Sequence, residues 1–157
     1  MAEKLVIYDS YFGNTEKIAQ AIGEAIGDAI VKKVTDFDQS NLDSLKILFV
    51  GSPTRAFNAT PAIMTMIKEM PQDTLNGVKA AAFDTRIKEE QTDSGFLKFM
   101  IKLFGYADVK IAKALSKAGA QLPIESAGFG VTGTEGPLLD GEIERAKSWA
   151  KQILSSS

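Results

Sequence analysis

The 157-residue chain contains no cysteine and no histidine. Their absence excludes thiol nucleophiles, disulfides, zinc sites of the usual Cys/His kind, Ser-His-Asp triads and histidine acid–base catalysis. Redox chemistry stays open through a bound cofactor that carries it. No run reaches the roughly 18 apolar residues that span a bilayer. The start, Met1-Ala2-Glu3-Lys4, enters strand-like sequence directly, without the apolar segment and cleavage site of a signal peptide. A cytoplasmic protein with no membrane span is expected. The formal net charge is −2, so no basic excess points to nucleic acid or an anionic membrane.

Hydrophobic residues make up 45% and charged residues 24%, a balance that supports a packed core and argues against disorder. The length suits one domain over 1–157. Leu5–Tyr8 reads as a buried strand ending in a loop, Asp9–Asn14. The period then changes: Ile18, Ile22 and Ile26 mark one helical face, and Gly27 is placed to end the helix. Ala29–Val34 and Ile47–Val50 predict the next two strands, with only a reduced helix at Leu42–Leu45 between them. Continuous apolar strands suit a parallel sheet covered on both faces.

Gly51–Ala59 reads as a loop, and Thr60-Pro61 as an N-cap followed by a proline at the first helical position. That helix carries Ile63, Met66, Ile67 and Met70 and stops at Pro71. Val78–Phe83 predicts a fourth strand and Asp84–Asp93 a polar loop. Phe96–Phe104 and Ala107–Ala118 predict two helical pieces separated by Gly105. Ile124–Val131 predicts a fifth strand, and Asp140 starts a last helix with Ile143, Ala146, Ala150 and Ile153 inward. Trp149 on that helix is read as packing. The order βαββαβαβα implies a doubly wound α/β sheet.

In such sheets ligands bind beyond the carboxyl ends of the strands. The first loop there, Ser10-Tyr11-Phe12-Gly13-Asn14-Thr15, sets hydroxyls and a glycine at a helix N-terminus, which makes either an anion site or an ordinary capped turn. It is neither GxxxxGK[ST] nor GxGxxG.

The stretch Val6–Ala19, VIYDSYFGNTEKIA, closely resembles the FMN-phosphate segment of the flavodoxin family. Gly51–Thr54, GSPT, is similar to that family's second flavin loop, and Phe83–Arg86 falls where the third lies. Gly133–Ala146, GTEGPLLDGEIERA, looks like the closing segment of small stand-alone flavodoxin-domain proteins. The resemblance implies a three-layer αβα sandwich with a five-stranded parallel sheet in the order 2-1-3-4-5, and FMN as cofactor. It implies that Ser10, Gly13, Asn14 and Thr15 hold the phosphate, with backbone N–H groups of Tyr11 and Phe12 completing the cradle. Pro53, Thr54, Arg55 and Ala56 would run along one side of the isoalloxazine ring, with Phe57 the one aromatic of that loop. Asp84, Thr85 and Arg86 would sit at the ring's pyrimidine edge.

The implied role is an electron carrier with an unidentified redox partner protein; the alternative is an FMN oxidoreductase of the NAD(P)H:quinone reductase type. No catalytic side chain and no metal ligand is assigned. Arg55 and Arg86 either place positive charge beside the flavin or face solvent and pair with Asp84, Glu89 or Glu90. The apolar stretch Phe96–Tyr106 is either a helix wedged into the core or an exposed patch for a partner or a homodimer, so monomer and homodimer both stay open.

Overall fold

The computed structural model describes residues 3–55, 57–87 and 94–156, and of Leu97 and Phe104 the backbone alone. Ala56, Glu89 and Glu90, to which expectations were attached above, lie outside the described residues. Five parallel strands form one sheet: β1 (Lys4–Tyr8), β2 (Ile30–Lys33), β3 (Ile47–Pro53), β4 (Lys79–Arg86) and β5 (Ala127–Gly130). Their order is β2-β1-β3-β4-β5. The helices are α1 (Asn14–Ile26), α2 (Pro61–Lys68), α3 (Gly95–Phe104), α4 (Ala107–Lys117) and α5 (Glu142–Lys151). Between β2 and β3 the chain forms only two short 3₁₀ turns, Val34–Asp36 and Gln39–Leu42. Among the described residues, no helix is long and apolar enough to cross a membrane.

The two-residue period of the strands divides the core. Leu5, Ile7, Leu48, Val50, Ala80 and Ala82 face α2 and α4. Val6, Tyr8, Phe49, Ala81 and Phe83 face α1 and α5. Alanines at 80 and 82 leave room for Ile111 and Leu115 of α4 to press against β4. Trp149 packs edge-on against Phe49, Phe83 and Phe129, with ring centroids 5.4, 6.3 and 5.8 Å away. Its indole N–H donates to the Glu125 carbonyl. It is a core residue, as its helical position predicts.

β3 and β4 run further than the residue pattern predicts. Ser52 and Pro53 pair with Asp84 and Thr85, so the starts of the two expected loops are strand ends. Buried strands usually read as apolar, and these residues are polar. The parallel ladder satisfies their backbone, and Thr54 N–H continues it by donating to the Thr85 carbonyl. β2 and β5 are shorter than expected.

The face of α3 toward solvent is apolar: Phe96, Phe99 and Leu103 are exposed while Ile101 is buried. The helix is thus not wholly wedged into the core: Ile101 points inward and the other three outward.

Thr60 caps α2 as expected, but its hydroxyl makes no capping bond. Ser52 does the local work: its Oγ accepts from the Thr60 N–H and donates to the Pro53 carbonyl. Gly51 matters for space. A Cβ there would stand 2.1 Å from the ring of the fully buried Phe83. Gly51→Ala is expected to lower stability by about 1–3 kcal/mol through overpacking. Urea unfolding measures it; an unchanged midpoint would mean that Phe83 has a second place to go.

Candidate functional site

At the carboxyl end of the sheet lies a cavity of about 260 Å³. Its lining comes from the loop before α1, from the ends of β3 and β4, and from the segment after β5. Ser10, Tyr11, Phe12, Asn14, Thr15, Pro53, Thr54, Arg55, Thr85 and Arg86 are brought together there. Gly13 and Phe57 do not line the cavity, and Asp84 does not either.

Gly13 instead builds the floor's geometry. It is the N-cap of α1 with φ +91°, a left-handed conformation that glycine adopts without a Cβ penalty. Its N–H donates to Ser10 Oγ at 3.0 Å, so the Ser10 hydroxyl keeps its own hydrogen free to donate. The first-turn amides of α1 have no intrahelical acceptor, and the helix dipole adds partial positive charge at that end. Thr15 and Thr85 share a buried hydroxyl–hydroxyl hydrogen bond of 2.7 Å that ties α1 to the end of β4. Whichever hydroxyl accepts keeps a donor of its own. Hydroxyls, amides and the helix dipole at one spot suit a doubly charged oxyanion such as a phosphate monoester.

The far wall was not anticipated from the sequence. Val131 and Thr134 line the cavity, and Asn14 Nδ2 donates to the Glu135 carbonyl at 3.1 Å. Gly136 allows that approach, because a Cβ there would come within 2.5 Å of the Asn14 side chain. The available signal was the Thr-Gly-Thr-Glu-Gly-Pro run directly after β5, a small and polar segment at the carboxyl end of the sheet. Ile87, directly after β4, adds apolar surface.

The two arginines divide. Arg86 is held by Asp84 in a paired contact, Nε to Oδ1 at 2.6 Å and Nη2 to Oδ2 at 2.7 Å. It also meets Asp108 Oδ1 at 3.0 Å, and its guanidinium lies 3.7 Å from the centre of the Tyr106 ring. Gly128 makes room, since a Cβ there would stand 2.0 Å from the guanidinium. Arg86 thus takes the pairing alternative, with Asp84 and with Asp108, which the sequence did not single out. Arg55 lies 5.0 Å from the centre of the Tyr11 ring at the cavity's rim and has no salt bridge among the described residues.

Asp84 is fully buried. Burial pushes its carboxyl up to about 6, against the hydrogen bonds and charge of Arg86, which pull it down. Desolvation also works against the charge on Arg86, but Asp84 and Asp108 outweigh it and hold the guanidinium above its ordinary value. The arginine is therefore charged throughout, and its charge is spent on two carboxylates rather than on the cavity.

A doubly wound parallel sheet with hydroxyls and first-turn amides gathered at a helix N-terminus, beside a half-apolar cavity, is the arrangement of mononucleotide-binding α/β proteins. The family model for flavodoxin matches residues 6–149, and the chain belongs to the flavodoxin family. Members of this family bind FMN, and membership assigns FMN to this chain. The fold is similar to that of a flavodoxin from the domain Archaea, with 21% identity, 97% of this chain and 96% of that one covered, and a TM-score of 0.70. It is similar also to flavodoxin 2 from Bacillus cereus, at 20% identity, 98% and 99% coverage and a TM-score of 0.76. The rubredoxin oxygen:oxidoreductase of Desulfovibrio gigas carries the same fold in part: 20% identity, 98% of this chain against 36% of that one, TM-score 0.70. Comparison with curated protein sequences finds no match.

The buried carboxyl has a consequence for stability. Between 3.8 and about 6 the folded protein holds a proton on Asp84 that the unfolded chain has released. Binding more protons in the folded state means that this group's contribution to stability falls as pH rises through that window, by ~3 kcal/mol at most. In Asp84→Asn that falling component is absent. Urea midpoints measured across the window for both proteins give the comparison; parallel curves would show that Asp84 stays ionised throughout.

Proposed function

We propose that this protein is an FMN electron carrier whose cavity at the carboxyl end of the sheet holds the cofactor. The observation that carries the reading is the donor set at the start of α1, opening into a cavity walled by the ends of β3 and β4. Bound FMN supplies reversible one- and two-electron chemistry, and the protein's part is binding, orientation and electrostatics. Ser10, Asn14 and Thr15, with the free amides of Tyr11 and Phe12, take the phosphate. Pro53 and Thr54 offer one edge of the ring a rigid surface, because they continue β3 rather than hang on a loop. Thr54 is itself held in place: its Oγ1 accepts from the Ala107 N–H at the start of α4. Thr85 stands between the phosphate end and the ring end. Thr134 adds a hydroxyl from the segment after β5.

Asp84 acts as a positioning residue in this reading. It holds Arg86 and the N-terminus of α4, where the Asp108 N–H donates to its Oδ2 at 2.9 Å. The purified chain, stripped of flavin and titrated with FMN, should take up about one equivalent; uptake of no flavin, or of FAD in preference, overturns the proposal. NADH-driven quinone reduction by the loaded protein would assign it instead to the oxidoreductase class.

Two variants probe the cavity's two ends. Thr15→Val removes a hydroxyl donor from a charged acceptor, and such hydrogen bonds are worth roughly 1.5–3 kcal/mol. FMN affinity should fall about tenfold or more, while riboflavin, which lacks the phosphate, should be affected little. Fluorescence titration reads both, and an equal loss would put Thr15 away from the phosphate.

At the other end, Arg55 is a cation that favours added negative charge on the flavin. Arg55→Gln should shift the potential of the second electron to more negative values, on the order of tens of millivolts. A spectroscopic redox titration that leaves this potential unmoved would make Arg55 a surface charge.

A further inference from the structure

Away from the cavity, α2 and α4 leave a groove of about 390 Å³ between them. Its apolar part includes the partly exposed Met64 and the edges of Ile67 and Met70, which are otherwise buried in the core. Four lysines line it, Lys68 from α2 and Lys110, Lys113 and Lys117 from α4, and no acidic residue does. In a chain of net charge −2 this is a local reversal of sign. Two lysines elsewhere are paired, Lys46 with Glu3 and Lys147 with Glu24. Lys68, Lys113 and Lys117 have no salt bridge among the described residues.

We propose that this groove docks an acidic, apolar-faced helical segment of a partner protein. The spacing selects that occupant. Lys110, Lys113 and Lys117 stand at i, i+3 and i+7 on one side of α4, a row of roughly 10 Å at 1.5 Å per residue. A ligand with a single carboxylate meets one end of such a row. A helix bearing carboxylates at the same spacing meets Lys113 and Lys117, with Lys110 held toward Phe57 and Asn58 at the end of the row and Lys68 closing from the opposite wall. Methionine side chains are unbranched and polarizable, and they adapt to an incoming apolar face. Lys110 Nζ donates to the Phe57 carbonyl and to Asn58 Oδ1, two and three residues after Arg55 of the cavity's lining. That the docked protein exchanges electrons rests on the carrier reading; the docking itself does not.

The test uses the full chain loaded with FMN. The probe is a synthetic helix of about five turns, with leucine and methionine on one face and glutamate on the other. Its control carries glutamine for every glutamate. In ¹⁵N spectra the glutamate peptide should shift amides of α2 and α4. Its affinity should drop roughly tenfold or more in Lys113→Glu/Lys117→Glu, and fall as NaCl rises from about 20 to about 300 mM. The milder Lys113→Gln/Lys117→Gln pair should fall between, which keeps the reading independent of any folding defect in the reversed variant. Three outcomes overturn the proposal: no shifts, equal binding of the glutamine control, or laurate reproducing the shifts and displacing the peptide, which would make the groove a site for single-headed amphiphiles. Flavin content measured on the same sample separates the two hypotheses. Lost FMN uptake with peptide binding intact refutes the carrier reading alone, and the reverse refutes the docking alone.

Discussion

Two carboxylates are buried side by side where β4 ends, and one guanidinium has to hold both. Asp84 at the middle of that contact accepts two hydrogen bonds from Arg86 and one from the first turn of α4. Asp108 accepts from Ser126 Oγ at 2.8 Å as well. A buried carboxylate without such partners would lose far more in desolvation than it gains from any single contact. The cluster joins three elements. Arg86 belongs to β4, Asp108 to α4, and Ser126 directly precedes β5. The Arg86 carbonyl also accepts the Val131 N–H, which carries the sheet past the last residue of β5 toward the cavity's far wall. The placement of Thr54, Thr85 and Val131 around the cavity follows from this cluster. Strand ends on an ordinary sheet fray; here they are clamped.

The clamp also determines which charges the cavity feels. A guanidinium near a bound flavin would stabilise added negative charge, but Arg86 is shared by two acids and faces the ring of Tyr106. What remains is the partial positive charge at the start of α1 and Arg55 at the rim, over the Tyr11 ring. In the proposed reading the phosphate is met by neutral donors of the loop before α1 and of its first turn, and the rim's cation is Arg55. Affinity and redox tuning would then rest on different residues.

How much of this was legible depended on how local the cause was. The change from a strand period to a helix period around Ser10–Thr15 is written within a dozen residues, so β1, its loop and α1 were readable, as was the alternation of strands and helices that dictates the sheet. The polar ends of β3 and β4 were not readable as strands, because their hydrogen bonds go to each other and not to sequence neighbours. The pairing of Arg86 with Asp84 was one of two open alternatives. Its second partner, Asp108, is 22 positions further on, and no periodicity links them. Thr134 was hidden for the same reason: only the return of the chain beyond β5, fixed by Asn14 and the glycine at 136, brings it to the cavity.

The distribution of charge over the molecule extends this logic outward. On the α1–α5 side, Glu24 is matched by Lys147, and Arg145 is drawn onto Glu142 and the Phe129 ring. On the α2–α4 side the lysines line an apolar groove and stay unmatched, apart from Lys110, which is drawn onto the turn beside the cavity. A protein of slight net negative charge therefore presents a positive face next to the rim of its cavity. Long-range attraction acts on the whole charge distribution, and it orients an approaching partner before any contact forms. An acidic partner would arrive at α2 and α4, where Lys110 ties α4 to Phe57 and Asn58, a few residues after Arg55 of the cavity's lining.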